Sequence, residues 1–183
     1  MRIIAFLVLS TILMTSCNNK STSDEELDQF AKEAYQNQFA DDSTIVWNYH
    51  STYNKIAGDS SYHAEIYTKK KLQFFSPYNG GSDVVIHVRR DEQDNNVFIT
   101  IAPGMFVTHS SGGKIRAKFG ASKALVFSTS MSSDNSDDTL FIDDADKFIN
   151  LIKSNDSLIL ELEFYKEGVR QVEYNISKFK WDH

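Results

Sequence analysis

The chain has one cysteine in 183 residues, Cys17, and two prolines, Pro77 and Pro103. A single cysteine excludes an internal disulfide, so the fold must rest on packing alone. Long apolar runs are also missing. The stretch Ile3–Met14 (IIAFLVLSTILM) is twelve residues, well short of the roughly 20 that a membrane-crossing helix needs. Positive charge is scarce: 19 Lys and Arg stand against 25 Asp and Glu, a net of −6. Such a surface does not suit nucleic acid or an anionic membrane face, and no nucleic-acid partner is expected. The only basic run, Lys69-Lys70-Lys71, reads as a solvated turn.

Catalytic signatures are absent as well. The five histidines (His50, His63, His87, His109, His183) share no local metal-ligand spacing, and there is no HExxH. Histidines such as His87, on the polar side of its strand, are read as solvated; a site assembled in three dimensions from His and Asp is the alternative. No GxSxG occurs, and Ser110-Ser111 beside His109 makes a weak hydrolase pairing, because adjacency in sequence is not the required geometry. Gly112-Gly113-Lys114 lacks the rest of a phosphate loop. From Asp134, the sixth and twelfth residues are Thr139 and Ala145, not the Gly and Glu of a calcium loop, so Asp134–Asp138 reads as an acidic turn. Glu161 and Glu163 alternate on one strand face, which is usually the wet face. Hence no catalytic residue, metal ligand or cofactor is assigned.

What is present begins with the leader. Arg2 precedes the apolar stretch, and Met14-Thr15-Ser16-Cys17 follows it. Twelve apolar residues fit a signal-peptide core. The tetrapeptide resembles the lipobox of bacterial lipoproteins, with Met14 where leucine is usual. That resemblance implies cleavage before Cys17 and a lipid on its sulfur, holding the protein to a membrane. An ordinary secretory signal and an uncleaved anchor are the other readings. More than one acyl chain, at about 0.8 kcal/mol per buried CH₂, suffices for stable anchoring. Asn18 stands where aspartate would be a familiar inner-membrane retention signal, so an outer-membrane destination in the envelope is expected, with surface exposure open.

The expected organisation is a signal peptide over 1–16, a tether over 17–22 and one domain over 23–183. Removing the signal takes away Arg2 and no acid, leaving a net of −7. Ser23 and Glu26 form a capping box ahead of an amphipathic helix over 24–39, carried by Leu27, Phe30, Ala31, Ala34 and Tyr35. Acidic Asp24-Glu25-Glu26 also resembles the surface-export signals of Bacteroidetes-type lipoproteins.

From residue 44 the period changes to two. Strands are predicted at 44–53, 61–68, 71–75, 83–90, 97–102, 105–109, 114–119, 124–130 and 139–142. A helix over 143–156, capped by Asp143 or Asp144, precedes a closing hairpin around Glu167-Gly168. The fold class is mainly β with α elements: an antiparallel β-sandwich or partly open barrel with an N-terminal amphipathic helix and one helix before the last hairpin.

The order Trp47, FFSPYNGG (74–81), VFITIAPGMF (97–106), KIRAKFG (114–120), LELEFYKEG (160–168) and VEYNISKFKW (172–181) resembles a widespread set of uncharacterised bacterial envelope lipoproteins. The C-terminal third is similar to small periplasmic accessory proteins of type VI secretion systems. Where those relatives often carry Phe-Asp-Asp-Gly, this chain has Phe119-Gly120-Ala121-Ser122. The resemblance implies a β-rich envelope domain without known catalysis. The expected function is therefore a membrane-anchored lipoprotein with a non-catalytic binding or assembly domain, its partner another envelope protein or a small ligand. The alternative is a cell-wall or glycan hydrolase using carboxylates in a β cleft. An exposed patch of Trp47, Tyr49, Tyr53, Tyr78 and Trp181 would support the binding reading.

Overall fold

Alternation of apolar and polar side chains decides most of the architecture, because an alternating strand has one face to hide; only the edge strand over 48–54 is exposed along its whole length. The structure, a computed structural model, describes residues 47–183 except 57, 92, 93 and 110. The cleavage site, tether and helix expected over 24–39 lie outside the described residues. Nine antiparallel strands form one sheet: β1 (Asn48–Asn54), β2 (Asp59–Tyr67), β3 (Asp83–Asp91), β4 (Asp94–Ala102), β5 (Gly113–Phe119), β6 (Leu125–Met131), β7 (Thr139–Ile142), β8 (Ser157–Phe164) and β9 (Gly168–Asn175). Their spatial order is β1-β2-β3-β4-β7-β6-β5-β8-β9, and the sheet is open rather than closed. The expected mainly-β class therefore holds, as an open sheet of the kind seen in sandwiches and partly open barrels.

Helix α1 (Ala145–Lys153) links β7 to β8. Asp144 is its N-cap, its carboxylate accepting from Lys147 N at 3.2 Å, and Asp146 adds negative charge to the first turn. Phe148, Ile149 and Ile152 form its buried stripe. Phe148 meets Phe119 of β5 and Phe127 of β6 edge-on, with centroids 5.2 and 5.1 Å away, which is favourable aromatic geometry.

The inner face of the sheet carries Ala64, Ile86, Val97, Ile115, Leu160 and Val172 among many others. Three bonds draw the two ends of the sheet towards each other. Trp47 Nε1 donates to Ile176 O at 3.4 Å, Tyr174 O–H to Val84 O at 3.3 Å, and Lys69 N to Glu173 O at 3.4 Å. The C-terminal tail adds aromatic cover: Phe179 lies 4.3 Å from Trp47, ring centre to ring centre, and 6.1 Å from Trp181. Trp181 Nε1 donates to Asn95 Oδ1, and Asn95 in turn donates to Asp146 at the start of α1.

Two predicted strands are not strands. Residues 71–75 make a single bridge, Leu72 to Ser82, and 105–109 a single bridge, Phe106 to Phe164. Both segments use an aromatic side chain as a plug, Phe74 and Phe106 being buried against Phe164. The closing hairpin is as expected. Its turn places Lys166 at φ 62° and Gly168 at φ 68°, and the left-handed value at Gly168 is one that glycine adopts without steric cost. The buried Glu167 carboxylate accepts from Phe75 N at 2.8 Å and from Arg170 at 3.2 Å, tying the β2–β3 loop to this turn.

Replacing Phe148 by Ala should cost about 3–5 kcal/mol, through lost burial and the cavity left between two rings. Asp144→Ala should cost about 1 kcal/mol through the lost cap. Urea unfolding followed by circular dichroism checks both, with exposed Val126→Ala expected within about 0.5 kcal/mol of the parent.

Candidate functional site

The outer face of β1–β4 is where polar side chains converge. Antiparallel pairing sets His50 opposite His63, Glu65 opposite His87, and His87 opposite Phe98. Because Ala64 and Ile66 fill the core, His63 and Glu65 are forced to the other side of β2. Val88 and Ile86 do the same for His87 on β3. His63 and His87 then sit diagonally across the β2–β3 ladder, within the reach of long side chains.

The contacts are close. His63 Nε2 lies 3.1 Å from His87 Nδ1, and His87 Nε2 lies 2.9 Å from Thr100 Oγ1. The Glu65 carboxylate is 3.6 Å from His87 Nδ1, and its other oxygen accepts from Tyr67 O–H at 3.4 Å. Phe98 stacks on His87 with centroids 4.6 Å apart and planes 9° apart. Arg89 covers the other reach of that Phe98 ring at 5.4 Å. The His50 ring stands 4.4 Å from that of His63. The His87 side chain is 13% exposed and that of Glu65 22%.

Burial, reinforced by His63 and His50, pushes the His87 imidazole down to about 4, despite the carboxylate beside it. His63 is also lowered, first by burial and then by His50. Both rings are therefore neutral at physiological pH, with lone pairs available. His63, Glu65 and His87 each present one ligand atom, all within 4.8 Å of one another. Chemically, the cluster can accept protons or coordinate a cation.

The other sequence candidates fall elsewhere. Glu161 is engaged by Arg116 at 3.0 Å and Gln171 at 3.4 Å, on the solvated face as expected. Asp137 and Asp138 take hydrogen bonds from Thr108, Ser136 and Thr139 in the β6–β7 turn. Lys71 pairs with Asp83 at 2.6 Å. The expected aromatic patch does not form. Trp47 and Trp181 are buried, Tyr78 packs against the core, and only Tyr49 and Tyr53 are exposed. Of these two, Tyr49 borders a shallow hollow of ≈ 250 Å³, with His50, His63, Trp181 and His183 among the rest of its lining, and Tyr53 does not. The cluster itself escaped sequence reasoning because His63 and His87 are 24 residues apart. The usable signal was His63-x-Glu65, an i, i+2 pair on a strand's polar side, with His87 at a polar position of the next strand.

Comparison with family models, with curated proteins and with solved structures finds no match.

The His87 shift has a definite sign. Its folded value lies below the ordinary 6.5, so the unfolded chain binds the extra proton and stability falls as pH drops from about 6.5 to about 4. The loss attributable to His87 should be about 2–3 kcal/mol, water at the partly open site reducing the full figure. The groups facing this ring are His63, Glu65, His50, Arg89 and Thr100. With a chelator present, NMR titration should place the His87 midpoint near 4, and the His87→Gln variant should show a flatter stability profile across that window.

Proposed function

We propose that this protein is a lipid-anchored component of the bacterial envelope whose β domain binds a ligand or partner rather than turning over a substrate. The observation that carries the reading is Cys17, the sole cysteine, placed directly behind Arg2, a twelve-residue apolar stretch and Thr15-Ser16. Asn18 after it favours the outer membrane. The likeness of 44–181 to envelope lipoproteins points the same way. The acidic surface, net −7 after the leader, favours a protein or small-ligand partner over nucleic acid. Within the domain, this reading takes the outer face of β1–β4 as the binding surface, supported by the half-buried imidazoles, carboxylate and aromatic ring that converge there.

The hydrolase alternative gains nothing specific from Glu161 and Glu163. Glu161 is held in surface contacts with Arg116 and Gln171, the ordinary state of a solvated strand face.

Metabolic labelling with a palmitate analogue should mark the wild-type chain and leave Cys17→Ala unlabelled, with the variant shifting from membrane to soluble fractions. Crosslinking capture of the full-length lipoprotein from its host envelope, read by mass spectrometry beside Cys17→Ala, should yield one dominant partner that weakens without the anchor. A chain that stays unlabelled and soluble would overturn the anchored reading.

A further inference from the structure

We propose that His63, Glu65 and His87 form a binding site for a divalent transition-metal ion of the zinc class. The inference deepens the binding reading by naming a ligand class for the outer face of β1–β4, and it rests on that reading only for the site's location.

The donor spacing carries it. Zinc bonds of about 2.0–2.1 Å at the tetrahedral angle set neighbouring donors about 3.3 Å apart. Here His63 Nε2 and His87 Nδ1 are separated by 3.1 Å, and His87 Nδ1 and the Glu65 carboxylate by 3.6 Å. Small side-chain rotations would bring all three onto one ion, since all ligand atoms fall within 4.8 Å of one another.

The surroundings match what a metal site needs. Thr100 Oγ1 holds His87 Nε2 at 2.9 Å. With the ring proton donated there, the Nδ1 lone pair faces the cluster, the usual outer support of a ligating imidazole. Phe98 stacked on the ring fixes its plane, and Tyr67 holds the carboxylate by the oxygen that does not face His87. Two imidazoles and one carboxylate suit zinc, nickel or copper ions, whereas calcium and magnesium want oxygen donors throughout. Three protein ligands leave a coordination position open, as in sites that exchange a bound water or ligand rather than sites that only brace a fold.

The test uses the full chain, without a polyhistidine tag, stripped with chelator and held in detergent. Equilibrium dialysis against Zn²⁺ with elemental analysis should find one equivalent bound, unaffected by excess Mg²⁺ or Ca²⁺. Co²⁺ as a probe should give the intense visible bands of a tetrahedral or five-coordinate centre. His63→Ala should abolish the stoichiometric uptake. Glu65→Gln, isosteric at a part-exposed position and therefore safe for the fold, should weaken it at least as much as loss of a supporting contact does, about tenfold to a hundredfold. Thr100→Val should weaken it within that same range. His109→Ala should bind as the parent does. Circular dichroism confirms folding of each variant. Absence of saturable uptake at one equivalent overturns the site, as does uptake that folded Glu65→Gln and His63→Ala variants retain in full. Partner capture is read separately: loss of metal uptake with the captured partner intact sinks the metal site alone, while metal uptake without any partner or lipid label sinks only the envelope reading.

Discussion

The described domain depends on one requirement: a single sheet must cover its own apolar face without any covalent cross-link. An open antiparallel sheet with one greasy side is stable only if something lies against that side. Here three things do so. Helix α1 lays Phe148, Ile149 and Ile152 on the middle strands. The sheet bends until Tyr174 of β9 reaches Val84 of β3. The C-terminal tail brings Phe179 and Trp181 over the remaining gap beside Trp47. The polar tips of three large aromatic side chains that this arrangement buries are each answered: Trp47 Nε1 by Ile176 O, Trp181 Nε1 by Asn95, Tyr174 O–H by Val84 O. Satisfaction of this kind is what lets bulky aromatic groups with a polar tip serve as core.

Most of this fold was legible in the sequence, because period-two alternation is a local property. DVVIHVRR and LILELEF declare their buried sides without reference to anything else, and Asp144 ahead of an i, i+3, i+4 stripe declares a helix start. What was not legible depended on distant partners. Residues 71–75 and 105–109 have strand-like composition, but their apolar residues serve as plugs at the margin of the sheet and meet only one partner each across a bridge. Trp47 lies just ahead of β1, whose residues are all exposed, and Trp181 lies in the C-terminal tail, so nothing local reveals that either ring is buried and both read as candidates for an exposed patch. Their burial removes that support for a binding surface.

The cluster on the outer face was illegible for a related reason. No spacing along the chain relates His63 to His87; only the pairing of β2 with β3 does. The outer face is also not uniform. Around Glu161 it behaves as a solvated surface, with Arg116 and Gln171 making exchangeable contacts. Around His87 it is half-buried, and the ring is pressed between an aromatic neighbour and a second imidazole. A low local dielectric makes the same types of side chain behave differently on two parts of one sheet.

The strict alternation on β2 and β3 also determines where the chain can change length. A single residue inserted within either strand would turn His63, Glu65 or His87 inward and Ala64, Ile66 or Val88 outward. Core and cluster would be lost in one event. An added residue in the loop over 68–82 leaves the side-chain alternation of both strands unchanged, because it falls between them and outside their paired residues. Length variation among descendants of this sequence should therefore gather in that loop, while the two strands beside it keep their count.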